Sequence, residues 1–405
     1  MKSPSRKFGM SDRVIPLGTG LAAIPERLLL AHARGEVLFI AGAGVSQPSG
    51  LPDFRDLVLR VYSQIDKPVY DVISNIPCTA HNQWSPDISA LTNQQAAEVK
   101  RFINCEYDVV LGMLERRMDG ETHTSSKIRE AVASELFIPK IKPAPVHRAL
   151  MRLADRGGAL TIVTTNFDLL FEEAAKTLRQ AVQSYSLGGI PRPGYGEAFA
   201  GVLHIHGAFD RNLSRTSDLV LTDQDFGEFY LRRRVVPDFI YDAARLFNLV
   251  LIGYRANDPP MRYLLNAVAA DGTRFYDIKE RFAFVGTGSS PDPVEMEDWK
   301  GRGITPIPYD LGNNHSILLN TLERWAAFSP INGKRNRVDT EVKRIVRKNR
   351  SSASDPDRDL FDHIIRRSDS NERVRLAGLA SKQKADFSWL DAITEIAAEN
   401  DWERP

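Results

Sequence analysis

The stretch EVLFIAGAGVSQPSGLPDFR, residues 36–55, decides the fold that we expect for this chain. It opens with an apolar run over residues 37–40, which is typical of a buried strand. The run stops at Gly42 and Gly44, and glycine lets the backbone turn tightly and approach a ligand closely. A helix that starts after such a turn presents N–H groups to an anion. The stretch therefore predicts a strand followed by a phosphate-binding loop.

Two common phosphate-binding loops do not fit this stretch. A P-loop needs the pattern GxxxxGK[ST], and no lysine or arginine stands between Gly42 and Gly50. The dinucleotide fingerprint GxGxxG requires a third glycine where this chain has Gln47. A GxG pair alone is a weak signal, because a tight turn uses glycines in the same way. The kind of nucleotide must therefore be read from the residues that follow.

Composition and charge narrow the class of protein. The chain has 405 residues and a formal net charge of +1, which suits one large domain plus a smaller unit and predicts no general attraction to nucleic acid or membranes. Its two cysteines, Cys78 and Cys105, provide neither a disulfide framework nor a CxxC pair, and so few cysteines are typical of a protein in a reducing cytoplasm. The first residues lack the apolar core of a signal peptide, and no apolar stretch approaches the ~18 residues of a membrane span. We therefore expect a soluble cytoplasmic protein.

Alternating apolar runs and helical patterns predict an α/β fold, a Rossmann-like doubly wound parallel sheet. In such a sheet the functional loops lie at the carboxyl ends of the strands. The strands predicted after the first cover residues 160–166, 202–207, 219–222, 249–254 and 281–286, the last of which closes the series. The predicted helices cover residues 23–34, 94–118, 126–138, 167–179, 259–270 and 310–328, and the span 359–400.

Two helical regions accompany the predicted sheet. Residues 56–150 read as a mostly helical insertion, or small domain, within a larger domain that covers residues 20–330. Residues 331–405 read as a charged linker followed by a helical C-terminal segment. The basic stretch 333–350 is either a solvated helix face or linker, or a contact surface for a partner. No aromatic residues interleave with its charges as a nucleic-acid stacking platform would require.

Three of the predicted strand ends carry polar residues. They are TTNFD at 164–168, LHIHG at 203–207 and GYRANDPP at 253–260. Each also has a purely structural interpretation: a helix cap, two hydrogen-bonded histidines on one strand face, and a turn that opens a helix at proline. A metal pair of His204 and His206 lacks a third ligand at a suitable spacing, so no metal is predicted.

In this order, GAGVSxxSGLPDFR, TTNFD, the His-Gly pair at 206–207 and the loop at Gly253 resemble the NAD site of the sirtuin family over residues 30–290. The resemblance implies NAD+ as the ligand, with Asn166 and Asp168 at its nicotinamide and ribose end and His206 as the catalytic histidine. The implied NAD-binding residues are Gly42, Ala43, Gly44, Ser46, Asp53, Phe54, Arg55, Thr165, Asn166 and Gly253.

Within that set, the resemblance places Asp53, Phe54 and Arg55 in a loop that folds over the nicotinamide ribose. It places Gly253 in a loop near the adenine ribose. There Tyr254 and Arg255 stand where the family usually has Thr-Ser, so contacts at this loop do not carry over from the family.

The chain departs from the protein deacylases of that family. Those carry a zinc ribbon of two CxxC pairs beside the acyl-lysine channel, which Cys78 and Cys105 cannot supply, so no zinc is expected. TTNFD and the PxxxHRALxxL pattern around Pro143 and His147 resemble the sirtuin-like branch that depletes NAD+ in bacterial anti-phage defence. With no second effector domain recognised, the chain most resembles the sirtuin-like subunit that partners a HerA-type ATPase.

The resemblance implies an NAD+ glycohydrolase that releases nicotinamide and ADP-ribose during abortive infection. Asn166 would orient a water or the ribose, His206 would act as the base, and Asp168 would support the site. Free activity would drain the host of NAD+, so we expect a homo-oligomer gated by assembly or by a partner. An NAD- or ADP-ribose-binding regulatory subunit and a protein deacylase stay open as alternatives, as does cyclisation in place of hydrolysis.

Overall fold

The computed structural model describes residues 13–77, 85–120, 126–138, 140–178, 181–194, 199–209, 219–255, 278–288 and 290–402. Within these ranges the strands are β1 (Val14–Pro16), β2 (Ala23–Pro25), β3 (Val37–Ala41), β4 (Thr161–Thr164), β5 (Ser184–Ser186), β6 (Gly201–His204), β7 (Asn248–Ile252), β8 (Arg281–Thr287) and β9 (Thr305–Asp310). Cys78 and the helix predicted over 259–270 lie outside the described residues.

The described α-helices flank the strands and fill the region between β3 and β4. They span Glu26–Ala33, Phe54–Ile65, Lys67–Ile73, Asn93–Ile103, Tyr107–Asp119, Lys127–Leu136, Pro145–Ala154, Leu170–Thr177, Asp223–Phe226, Val235–Leu246, Pro293–Gly301, Gly312–Phe328, Arg335–Ile345, Asp355–Arg366, Ser370–Lys382 and Phe387–Trp402. A π-helical turn, Gly227–Arg232, continues the helix that ends at Phe226.

Seven strands form one parallel sheet in the order β5-β6-β4-β3-β7-β8-β9, which confirms the predicted doubly wound architecture. β3 is the central strand, with β4 on one side and β7 on the other. The carboxyl ends of these three strands therefore flank the point where the strand order reverses. Ligands of doubly wound sheets bind at such a point.

Both faces of the sheet are buried, as its continuous apolar strands predict. Val37, Phe39 and Ala41 of β3 enter the core on one face, and Leu38 and Ile40 enter the core on the other. The helices on the first face include Pro145–Ala154, Gly312–Phe328 and the C-terminal helices, and those on the second face include Val235–Leu246 and Pro293–Gly301.

The strand series differs from the predicted one at its margins. Residues 219–222 form no strand; instead, the Val220 N–H donates to the His206 carbonyl at 2.9 Å and Thr222 caps the next helix. The predicted series also lacked β5 and β9, which lie at the two edges of the sheet. β5 is short and polar, so it lacks the apolar run that predicts a strand. β9 contains two prolines, which an edge strand tolerates but which interrupt the pattern by which a strand is predicted.

The helical region between β3 and β4 has a hydrophobic core of its own. Its buried members include Leu57, Val61, Tyr62, Val99, Phe102, Leu111, Leu114 and Val132, and they are joined by Phe209, Leu219 and Leu221. The helix predicted over 94–118 is broken, because Cys105 adopts a left-handed backbone with φ of 57°.

Buried ion pairs tie this helical region to the segment after β6. The Arg129 guanidinium lies 3.0 Å from Glu115 and 2.7 Å from Asp225, and its side chain is only 4% exposed. Arg129 also donates to the Leu219 carbonyl at 3.2 Å. A buried arginine with two carboxylate partners holds those partners in one arrangement, since separating them would leave unpaired charge.

The basic stretch 333–350 contains the helix Arg335–Ile345, which packs against the sheet's first core. Val338, Val342 and Ile345 form its buried face. Some of its outward charges are paired, including Arg335 with Glu372 at 3.7 Å and Arg344 with Glu341 at 2.7 Å.

The close packing at Gly42 gives a stability prediction. A Cβ built on Gly42 would lie 2.6 Å from the Tyr254 ring and 2.8 Å from the Gly253 carbonyl oxygen. We expect Gly42→Ala to lower the free energy of unfolding by about 1–3 kcal/mol in chemical denaturation, because an overpacked site must shift its neighbours. Gly378→Ala is the matched control, since Gly378 is exposed within a helix with open space around it. The free energy of unfolding of that control should rise by about 0.5–1 kcal/mol. A Gly42→Ala chain as stable as wild type would contradict the close packing at Gly42.

Candidate active site

A cavity of about 480 Å³ opens at the carboxyl edge of the sheet. The end of β3, the loops after β4 and β6, and the end of β7 all contribute to its wall. The residues named from the sequence that line it are Ala43, Gly44, Ser46, Asp53, Phe54, Arg55, Thr165, Asn166, Asp168, His206 and Gly253. Gly42 lies against Tyr254 and Gly253 at the same edge.

The glycine loop packs closely against the loop after β7. The Gly44 N–H donates to the Gly253 carbonyl at 3.1 Å, and Gly253 has a φ of +78° that favours glycine. The predicted helix start is not formed here: residues 43–45 and 47–49 are short 3₁₀ turns, and the N–H groups of Val45 and Ser46 donate within the loop. The phosphate-binding role expected of this loop stays a prediction.

Asn166 follows β4 and is held through the nitrogen of its side-chain amide. Its Nδ2 donates to the Gly42 carbonyl at 3.1 Å and to Ser46 Oγ at 2.9 Å. Because a carbonyl oxygen only accepts, the atom that faces Gly42 must be the nitrogen. Both donors of the amide are therefore used by the protein, and Oδ1 is the atom that Asn166 can offer to a bound molecule.

Ser46 connects Asn166 to two further groups, the half-buried Asp168 and the buried His147. Its hydroxyl donates to Asp168 Oδ2 at 2.8 Å and lies 3.4 Å from His147 Nε2. Burial raises the pKa of Asp168 above its usual range, and the hydrogen bond from Ser46 opposes that rise. Burial also lowers the pKa of His147 to about 4, so His147 is neutral and lies behind the cavity as a hydrogen-bond partner.

His206 lies two residues beyond β6 and is 3% exposed. Its Nε2 lies 2.6 Å from the Tyr230 hydroxyl, and Phe226 meets its ring edge-on at 5.6 Å. Burial lowers the pKa of His206 to about 3, so the ring is neutral across the physiological range. Tyr230 remains a neutral phenol, because burial raises its pKa well above the usual value.

His204, the last residue of β6, is a charged partner of the β4 loop. Its Nδ1 contacts the Asn166 carbonyl at 2.9 Å, and its Nε2 contacts Glu172 Oε1 at 2.9 Å. Both partners only accept, so both ring nitrogens carry hydrogen. Burial alone would lower the pKa of His204, but the hydrogen bond and charge of Glu172 outweigh it and hold that pKa above its usual value.

Asp53 and Arg55, which follow the glycine loop, line the cavity, but their side chains hydrogen-bond to other parts of the protein. The Asp53 side chain accepts from the Asp56 N–H at 2.8 Å and caps the helix that begins at Phe54. Arg55 donates to the Ile76 carbonyl at 2.6 Å, and its guanidinium lies over the Phe102 ring. Arg55 thus joins this helix to the helical region.

The far end of the cavity is built from residues that the sequence analysis did not single out. Tyr309 Oη bonds His315 Nδ1 at 2.8 Å, and both residues line the cavity. Asn314 and His315 have φ values of +59° and +61°, a left-handed backbone that costs energy for residues other than glycine. Tyr230, Phe226 and Glu172 were missed as well, because each acts through a contact across the fold and belongs to no local motif.

The described part of the chain holds no group of three or more His, Cys, Asp or Glu side chains arranged for a metal ion. Within the same ranges, no helix combines the length and apolar character that a bilayer crossing needs.

The His204–Glu172 pair gives a pH-dependent prediction. Burial acts to raise the pKa of Glu172, but the hydrogen bond and charge of His204 lower it below 4.5, while the pKa of His204 is above 6.5. Between pH 4.5 and pH 6.5 the pair therefore makes its full contribution to the stability of the folded state. That contribution is lost as pH rises through the raised pKa of His204. We expect Glu172→Gln to lower the free energy of unfolding by about 3–5 kcal/mol at pH 6, and by less at a pH where His204 is neutral.

Glu173→Gln is the matched control, since Glu173 is the next residue and its ion pair with Lys176 is exposed. It should change the free energy of unfolding by less than about 0.5 kcal/mol. Equal losses for the two variants, or a Glu172→Gln loss that does not depend on pH, would contradict the charged state of His204.

The known proteins that this chain resembles match different lengths of it. Residues 160–307 match the family model described as SIR2-like domain. The chain is 33% identical over 395 residues to a Sinorhizobium fredii (strain NBRC 101917 / NGR234) protein described as "Uncharacterized protein y4cA". That alignment covers 92% of this chain and 29% of the relative, so the chain spans under a third of the relative's length.

A solved structure described as "Structural Basis for the Mechanism and Regulation of Sir2 Enzymes" is similar at a TM-score of 0.34 and 15% identity, over 74% of this chain and 96% of that one. The sequence match to the SIR2-like domain begins one residue before β4 and ends inside β9. It therefore includes Asn166, Asp168, His206 and Gly253 of the cavity. Over residues 160–307 the chain is similar to SIR2-like domains.

Proposed function

We propose that this site hydrolyses the N-glycosidic bond of NAD+ and releases nicotinamide and ADP-ribose. The observation that carries the proposal is the pairing of Asn166, whose amide offers only its oxygen, with the neutral His206 in one cavity. The match to a SIR2-like domain and the sequence resemblance to NAD-binding sirtuins support the choice of NAD+.

The chemistry of the reaction suits these two groups. Breaking the bond between ribose C1′ and the nicotinamide nitrogen develops positive charge on the ribose, and water must then attack C1′ while it loses a proton. Asn166 Oδ1 accepts a hydrogen bond from that water or from a ribose hydroxyl and so orients it. A neutral imidazole at His206 takes up the proton.

Asp168 and Ser46 act through Asn166 in this proposal. Ser46 donates to Asp168 and accepts from Asn166, so the carboxylate fixes the direction of the hydroxyl that holds the amide. Asp168 is thus a positioning residue. The adenosine half of NAD+ would extend toward Tyr309 and His315, at the opposite end of the cavity.

The proposal extends to NAD+ depletion in anti-phage defence, with activity gated by a homo-oligomer or a partner. Its support is the resemblance of TTNFD and PxxxHRALxxL to that sirtuin-like branch. A HerA-type ATPase is one partner of this kind. Because the chain spans 29% of its Sinorhizobium relative, a gating domain in the same polypeptide agrees with the comparison equally well.

The test is incubation of the purified chain with NAD+, with the products separated by chromatography. We expect nicotinamide and ADP-ribose in equal amounts without any peptide present. His206→Ala should lower kcat/KM by about 10²–10⁴-fold, because it removes the base. Asn166→Ala should lower it by about 10²-fold, as is typical for the loss of one group that orients the reacting centre.

Asn248→Ala is the control for the asparagine variant. Asn248 begins β7 at the opposite edge of the same sheet, where its Nδ2 donates to the Glu36 carbonyl at 3.3 Å. It should hydrolyse NAD+ at the wild-type rate. Tight NAD+ binding without turnover, with or without a co-purified partner, would instead support a binding module. Turnover that requires an acylated peptide would support a deacylase, and cyclic ADP-ribose as the main product would replace hydrolysis by cyclisation.

A further inference from the structure

Tyr230 makes the one hydrogen bond to the His206 ring among the described residues. Its hydroxyl lies 2.6 Å from Nε2, and the side chains of both residues are almost fully buried. The two rings meet at 5.8 Å, and Phe226 packs against both of them. The histidine is therefore held on one side by a polar contact and on another by an aromatic ring.

The backbone that carries Tyr230 is fixed at its start. Thr222 and Asp225 cap this segment reciprocally, and the buried Arg129 binds Asp225 from the helical region. The π-helical turn over Gly227–Arg232 then adds one residue to the turn that holds Tyr230. Such turns re-aim side chains and are frequent at functional sites.

Nε2 is thus occupied, which leaves Nδ1 as the ring nitrogen available to a substrate. No described residue bonds Nδ1, and Nδ1 is absent from the buried polar atoms that lack a partner in the described part of the chain. His206 lines the cavity, which is therefore where Nδ1 would meet a substrate.

We propose that Tyr230 is a positioning residue that accepts a hydrogen bond from His206 Nε2–H and so keeps Nδ1 unprotonated as the base of the reaction. The inference rests on the proposed hydrolysis of NAD+, because that reaction needs a free lone pair on the cavity side. Tyr230 here does what the carboxylate does in a Ser-His-Asp triad, with a neutral oxygen in place of a charge.

The proton balance of the step follows from this tautomer. The attacking water forms a bond to ribose C1′ with its oxygen lone pair, and nicotinamide leaves with the electron pair of the broken C1′–N bond. The proton lost by the water moves to Nδ1. The resulting imidazolium keeps its Nε2–H bond to the Tyr230 oxygen until it returns the extra proton to solvent.

The tautomer can be read without any enzymatic activity. In the full wild-type chain labelled with ¹⁵N-histidine, NMR spectra that correlate ring nitrogens with ring C–H groups distinguish Nε2–H from Nδ1–H. The His206 signals are identified by their loss in His206→Gln. We expect Nε2–H at neutral pH, whereas Nδ1–H in wild type would overturn the proposal, and this result requires no Tyr230 variant to fold.

Tyr230→Phe then tests the positioning role. We expect a mixture of the two tautomers and a kcat lower by roughly 10–100-fold, by analogy with the loss of a group that orients a metal-binding histidine, with KM little changed. Tyr62→Phe is the matched control, since Tyr62 is a buried phenol that donates to Glu98 at 2.9 Å within the helical region. It should leave both readouts at their wild-type values.

An unchanged tautomer or an unchanged kcat in Tyr230→Phe would overturn the positioning role. If the wild-type chain does not hydrolyse NAD+ at all, the proposed function fails by that measurement alone. The ¹⁵N spectrum of the wild-type chain still decides which ring nitrogen carries the proton.

Discussion

The side-chain amide of Asn166 joins the two loops on which the candidate site is built. Its hydrogen bonds to Gly42 and Ser46 tie the end of β4 to the end of β3, the central strand. On its other side, the same glycine loop packs closely at Gly42 against Gly253 and Tyr254, which follow β7. The same two bonds use both amide donors, so one constraint fixes the loops and also determines that an acceptor faces the cavity.

Two histidines separated by one residue have opposite electrostatic environments. His204 bonds a carboxylate and a carbonyl and is charged, whereas His206 bonds a phenol and is neutral. Burial disfavours the charged form of both rings, and at His204 the hydrogen bond and charge of Glu172 lead the contributions that reverse that preference. The sheet therefore carries the charged His204–Glu172 pair behind the Asn166 loop and the uncharged His206 at the cavity.

The sequence predicted the central sheet and the side chains that gather at its carboxyl edge, because apolar runs and their polar ends are local signals. The edge strand β9 escaped prediction, since its prolines hide the strand pattern. The partners of the two histidines escaped it for another reason: Tyr230 and Glu172 reach them only through the fold, 24 and 32 residues away along the chain. The helix start expected after the glycines was wrong, because residues 43–45 and 47–49 form short 3₁₀ turns instead.

The central claim is that the bond to be broken lies between Asn166 and His206. A crystal structure of the chain with carba-NAD+, whose carbocyclic ribose resists hydrolysis, tests it most directly. We predict the nicotinamide-side ring beside Asn166 Oδ1 and His206 Nδ1, with the adenosine near Tyr309 and His315. An analogue bound outside this cavity, or bound with its nicotinamide at the Tyr309 end, would contradict the claim.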